Sequence, residues 1–243
     1  MRRAVLVVSW AIVATAFVVV GSAFGGAGIA LGVMLVLALW AWQWLWLPRT
    51  ASAAFAAGRY ASAARRYRLA GMLAAAPQRR RAALLSRIAC HVAASEPAVA
   101  TRLMANIAPD ALDVAERAVW INNQACLALA RGEAVAALAL ADGATALRPD
   151  VPALQHTRGV ALLAVGRVDD AISVLDQMRA GGELAARLEA ERCRDLSRAW
   201  TQKGEPAYAE DYRLRAEAMS PSPSSSSQQQ SSSPAAPGTS YAR

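Results

Sequence analysis

The chain has 243 residues, enough for one or two domains, and 55% of them are hydrophobic, although much of that share is Ala. Its net charge of +8 is uneven: residues 49–102 hold ten Arg and one acid, Glu96, whereas residues 103–243 hold seventeen acids against thirteen Arg and one Lys. The asymmetry argues against a nucleic-acid binder read from whole-chain charge. Three scattered cysteines (Cys90, Cys126, Cys193), without CxxC or His at ligand spacing, argue against a disulfide framework or a zinc site.

Residues 4–24, AVLVVSWAIVATAFVVVGSAF, carry no charge, and residues 29–47, IALGVMLVLALWAWQWLWL, form a second apolar run. Each is long enough to cross about 30 Å of hydrocarbon as a helix. Only GGAG (25–28) separates them, so residues 1–48 are predicted to form a transmembrane helical hairpin. Arg2 and Arg3 precede the first run; Arg49, Arg59, Arg65, Arg66 and Arg68 follow the second. That distribution puts both ends on the cytoplasmic side. Trp40, Trp42, Trp44 and Trp46 fall where indole rings favour headgroups, and Pro48 is expected to close the helix. The start MRR, the apolar core and GSAFGGA also fit a cleaved secretory signal. The expected localisation is the inner (cytoplasmic) membrane, with two spans and the remainder of the chain cytoplasmic.

Beyond residue 48 the composition turns to Ala and Arg, and a spacing recurs. GEAVAA (132–137) returns as GRVDDA (166–171), 34 residues later. Five residues past Gly132 and Gly166 stand Ala137 and Ala171; twelve past stand Ala144 and Met178; seven before stand Ala125 and Gly159. Small residues at such positions let two antiparallel helices approach, and Gly between them permits the reversal. One pair cannot bury its apolar face alone, so neighbouring pairs must stack.

These residues resemble the tetratricopeptide repeat (TPR), a helix–turn–helix unit with small residues at its eighth, twentieth and twenty-seventh positions, Gly near the fifteenth and Pro at the thirty-second. Residues 118–151 supply Ile121, Ala125, Gly132, Ala137, Ala144 and Pro149; residues 152–185 supply Gly159, Gly166, Ala171 and Met178, with Glu183 in place of Pro. Weaker copies centre on Gly58, with Tyr60, Ala63, Tyr67 and Ala70, and on Gly204, with Ser197, Ala209, Ala216 and Pro221. Residues 78–111 read as a degenerate helical pair, broken at SEP (95–97) and ended near Pro109. The fold class is therefore all-α: the hairpin, a TPR-like α-solenoid over 49–221, and a tail over 222–243. That tail, Ser, Gln and Pro with almost no apolar residues, is expected to be disordered.

No nucleophile–base pair is evident, so no catalytic residue, metal or cofactor is expected. The expected repeat-packing residues are Ala125, Gly132, Ala137, Ala144, Gly159, Gly166 and Ala171. The resemblance implies a groove, whose candidate residues are Asn122, Asn123, Cys126 and His156. Asn122 is the one suited to a ligand backbone, and Asn123 matches a packing choice. Without Lys at the matching positions, carboxylate clamping by that groove is not supported. Arg65, Arg66, Arg68, Arg79, Arg80 and Arg81 are expected to meet anionic lipid headgroups. The resemblance implies a non-enzymatic, membrane-anchored scaffold for a partner protein or peptide, with no nucleic acid. The alternative is an accessory subunit of a membrane-associated enzyme pathway or envelope assembly machine, since a bacterial haem-biosynthesis-associated membrane protein shares the layout of spans and repeats.

Overall fold

The computed structural model describes residues 47–219, together with residues 15, 19, 21, 27, 30–34, 38, 45 and 46. Residues 47–219 form ten α-helices and two short 3-10 turns. In chain order the helices are α1 (Leu47–Ala56), α2 (Tyr60–Leu73), α3 (Pro77–Ala93), α4 (Pro97–Met104), α5 (Val114–Ala130), α6 (Ala134–Leu147), α7 (Pro152–Ala164), α8 (Val168–Gln177), α9 (Ala186–Lys203) and α10 (Pro206–Met219). Prolines open α3, α4, α7 and α10, where a missing N–H costs no helical bond. Asp113 and Glu116 open α5 with a reciprocal capping box.

The expected two-span inner-membrane placement is not upheld. No helix among the described residues is long and apolar enough to cross a membrane. The longest, α9, has 18 residues and carries charges throughout, among them Arg187, Glu189, Glu191, Arg192 and Arg194. A span needs about 20 predominantly apolar residues. Most of the first apolar run, 4–24, and about half of the second, 29–47, lie outside the described residues, as does the 222–243 tail. Pro48 does not close a helix either; it lies in the first turn of α1, and the helix runs on past it to Ala56.

Consecutive helices pair through one repeated turn. Gly58, Gly132, Gly166 and Gly204 have φ of 70°, 77°, 80° and 83°. In each turn the Gly N–H donates to the carbonyl three residues back: Phe55, Leu129, Leu163 and Thr201, at 3.0–3.1 Å. The next N–H donates to the carbonyl five residues back: Ala54, Ala128, Leu162 and Trp200, all at 2.9 Å. This pairing satisfies carbonyls that the helix end leaves without partners. Between α3 and α4 the same two bonds recur, Ser95 to Val92 at 3.0 Å and Glu96 to His91 at 2.9 Å, although Ser95 occupies the left-handed position with φ 57°. The degenerate pair is thus a hairpin with the same turn, whose glycine has been replaced.

The chain divides into two compact units, residues 1–183 and 184–243. In the first, each hairpin packs on the next. Ala54, Ala63, Ala64 and Cys90 join α1, α2 and α3. Leu85, Ile88, Ala100, Met104, Leu112 and Leu127 join α3, α4 and α5. Ala125, Ala128, Ala137, Ala141 and Ala161 join α5, α6 and α7. Counting from each turn residue, the same offsets are filled inside: Ala51, Ile88, Ala125 and Gly159 seven before, and Ala63, Ala100, Ala137 and Ala171 five after, all buried. At Gly159 the approach is closest, since a Cβ there would lie 2.7 Å from Leu175 Cδ2. The second unit is the α9–α10 hairpin, tied by Ser197 Oγ donating to the Ala209 carbonyl at 2.8 Å and by stacked Trp200 and Tyr208 rings 4.8 Å apart.

Candidate functional site

The capping box sets where α5 begins, and the Gly132 turn sets where it ends. With the helix so held, Ala125 is turned inward and buried, while Asn122 and Cys126, one helical turn apart, keep partial exposure. Cys126 faces Thr157 of α7 on the next hairpin. Asn122 Nδ2 lies 4.0 Å from Cys126 Sγ, and Cys126 Sγ lies 3.7 Å from Thr157 Oγ1. Thr157 donates in turn to the Ala153 carbonyl at 3.1 Å, so its oxygen is left to accept the thiol proton.

This relay has one loose end. Asn122 Oδ1 is buried and has no hydrogen-bond partner. Turning the amide over does not cure it, because a thiol is a weak partner for either end of the group. Burial pushes the Cys126 thiol pKa up, and the Thr157 hydroxyl offsets this only in part. The sulfur therefore stays protonated at neutral pH and serves as a packing and hydrogen-bonding group, not as a nucleophile.

The other groove candidates separate. Asn123 is 3% exposed and donates through Nδ2 to the Leu85 carbonyl at 3.2 Å, which fastens α5 to α3. His156 is half-buried on α7, beside Thr157 in sequence. The packing candidates Ala125, Ala137, Ala144, Gly159 and Ala171 are buried, and Gly132 and Gly166 occupy the exposed turns.

The six arginines singled out also divide. Arg66 donates to the Thr50 carbonyl at 2.8 Å. Arg80 caps the end of α2 through the Ala74 and Ala75 carbonyls, at 2.7 and 2.6 Å. Arg81 pairs with Glu116 of the capping box at 2.8 Å. Arg65, Arg68 and Arg79 are exposed. Asp169 and Asp170 lie in the first turn of α8, where carboxylates favour the helix dipole, and Asp170 pairs with Arg167.

Thr157 carries no signal in the sequence, and the break expected at SEP (95–97) is placed by the structure in the same left-handed turn as the glycine hairpins, with Ser95 in the glycine's position. Thr157 stands 31 residues from Cys126, and nothing local marks the two as neighbours. Ser95 was detectable in principle: it stands 37 residues from both Gly58 and Gly132. Among the described residues no cluster of three or more His, Cys, Asp or Glu side chains could hold a metal ion.

No protein-family profile matches the chain, and no characterised relative matches its sequence. Among solved structures it is similar to the TPR-like repeats of a kinesin light chain of Podosopora anserina, at 19% identity and TM-score 0.45, over 76% of this chain and 96% of that one. It is also similar to MamA AMB-1, at 17% identity and TM-score 0.41, over 73% of this chain and 99% of that one. The hairpins of this chain, by their own turns and buried positions, are TPR-like.

Proposed function

We propose that the chain is a helical-hairpin scaffold that binds a partner protein or peptide along the first helices of its hairpins, and that it performs no chemistry of its own. The observation that carries this reading is the division of labour along α5. Ala118, Ala125 and Ala128 are buried in packing, while Asn122, one turn from Ala118 and from Ala125, carries an amide oxygen that the fold leaves without a partner. An extended peptide offers alternating N–H and C=O groups, and a turn of the Asn122 side chain away from Cys126 would bring its buried, unpartnered Oδ1 to one of those N–H groups. Asn122 and His156 are the proposed contact residues, with Cys126 and Thr157 setting the Asn122 rotamer. Asn123 belongs to the packing.

Site-specific photo-crosslinking tests this reading. A photoreactive residue at position 122 of the full chain is expected to give a discrete protein adduct in cells. The same residue at Val135, 78% exposed on the second helix of that hairpin, is expected to give none. Equal adducts from both positions, or an adduct from Val135 alone, would remove α5 as the binding face.

A further inference from the structure

The arginines of this chain are treated in two ways. In later hairpins several meet carboxylates, Arg148 with Asp150, Arg158 with Asp142 and Arg167 with Asp170, at 2.6–2.7 Å, although Arg131 donates to Thr101 Oγ1 and Arg194 to the Ala190 carbonyl. In residues 49–102 the one acid, Glu96, is taken by His91 Nδ1 at 2.6 Å. Arg66 and Arg80 are spent on backbone carbonyls and Arg81 on Glu116. Arg65, Arg68 and Arg87 meet no carboxylate among the described residues. Arg68 and Arg87 also lie close enough to feel each other: burial first, and then the Arg68 charge, push the Arg87 pKa down. These two guanidiniums, on adjacent helices, have no acid of the described residues paired with them, and an acidic partner would find both.

The face that carries these charges is not purely polar. Along α2 the exposed positions run Ala61, Arg65, Arg68, Leu69 and Met72, a continuous helical stripe. Leu69 is 37% exposed and Met72 is 41% exposed. Arg and Met are enriched in protein–protein interfaces. A nucleic acid supplies phosphates for the guanidiniums but stacks its bases on aromatic rings, and this stripe offers aliphatic side chains. A lipid surface rewards a wide apolar face; here two partly buried side chains stand among arginines.

We propose that the exposed face of α2, Arg65, Arg68, Leu69 and Met72, together with Arg87 of α3, docks an acidic amphipathic segment of a partner protein, with apolar anchors on Leu69 and Met72 and carboxylates on the arginines. The site is separate from the Asn122 row on α5. It rests on the scaffold reading above, to which it adds the partner's chemistry.

The test is binding of a labelled synthetic peptide to the full chain by fluorescence anisotropy. The peptide carries Leu at helical spacing flanked by Glu. Its controls replace Glu by Lys or Leu by Ser; a single-stranded oligonucleotide of equal charge and phosphatidylglycerol vesicles are assayed beside them. The Glu–Leu peptide is expected to bind at least about tenfold more tightly than either peptide control, and salt is expected to weaken it. The double variant Arg65→Glu/Arg68→Glu is expected to lose about tenfold or more, and Leu69→Ser/Met72→Ser several-fold, with helical content unchanged by circular dichroism. The conservative Arg65→Lys/Arg68→Lys is expected to retain most of the binding. Failure of the Glu–Leu peptide to bind, indifference to the double reversal, or tighter binding of the oligonucleotide or the vesicles overturns the proposal. Asn122→Ala separates the two readings. If it abolishes peptide binding while the α2 variants do not, the α5 scaffold stands and the α2 site falls. If an α5 adduct is also absent from the crosslinking experiment, both fall.

Discussion

Replacing Ser95 by Gly should stabilise the protein, although glycine usually does the reverse. Ser95 holds φ at 57°, in the turn that four other hairpins make with Gly. An L-residue in the left-handed region costs about 1–2 kcal/mol from the contact between its Cβ and the following carbonyl. Glycine removes that contact but adds about 0.4–1 kcal/mol of unfolded-chain entropy. The expected gain is therefore about 0.5–1 kcal/mol. The side chain contributes little to offset this, because Ser95 is exposed and no hydrogen bond of its hydroxyl is present. The mirror experiment is Gly132→Ala, at φ 77°, where an added Cβ meets nothing within 4 Å. Its backbone strain is partly offset by the unfolded-chain entropy that Ala removes, for a net cost expected at about 1 kcal/mol. A control, Ser95→Ala, keeps the strain and changes only the hydroxyl, so it should leave stability nearly unchanged. Thermal melts of the full chain followed by circular dichroism should place Ser95→Gly about 1–4 °C above and Gly132→Ala about 2–4 °C below the parent. Hydrogen exchange at the Glu96 amide should slow in Ser95→Gly, which localises the effect. A lower melting temperature for Ser95→Gly, or a gain of equal size from Ser95→Ala, would refute the argument.

Other consequences follow from the packing. Ala137→Leu and Ala171→Leu, both at fully buried positions, should each destabilise by about 1–3 kcal/mol in denaturant titration. Gly159→Ala should cost a similar amount through Leu175, which is fully buried; combined with Leu175→Ala the loss should be less than additive in a double-mutant cycle. Asn123→Ala should cost about 0.5–1.5 kcal/mol by removing the bond that fastens α5 to the Leu85 carbonyl of α3, whereas Asn122→Ala should be nearly neutral or stabilising. The Cys126 and Cys193 thiols, both with pKa pushed up chiefly by burial, should react slowly with a thiol reagent at neutral pH. The rate should rise with pH and become fast in denaturant; rapid native modification at neutral pH would contradict this.

Much of the fold was legible in the residues because a hairpin has only a few ways to reverse. Gly58, Gly132, Gly166 and Gly204 mark turns that demand positive φ, and the small residues around them mark where helices touch. At SEP (95–97) the break was legible but its kind was not: the backbone demands positive φ there of Ser95, a residue that does not advertise it. Apolar length was a poorer guide. It pointed to two spans ending at residue 47, whereas Leu47 and Pro48 begin a helix that packs through Ala51 and Ala54 against its own hairpin. The candidate site shows the limit most plainly. Asn122 and Asn123 are identical neighbours in the sequence, but a rotation of about 100° per residue around α5 sends one to the Leu85 carbonyl and leaves the other beside Cys126. Likewise ten arginines read as one basic segment until packing spent Arg66, Arg80 and Arg81 inside the fold and left Arg65, Arg68 and Arg87 without acids. Local backbone demand is written in residue type; which side chain meets which is set by helices meeting across 30 or more positions, and only the tertiary structure decides it.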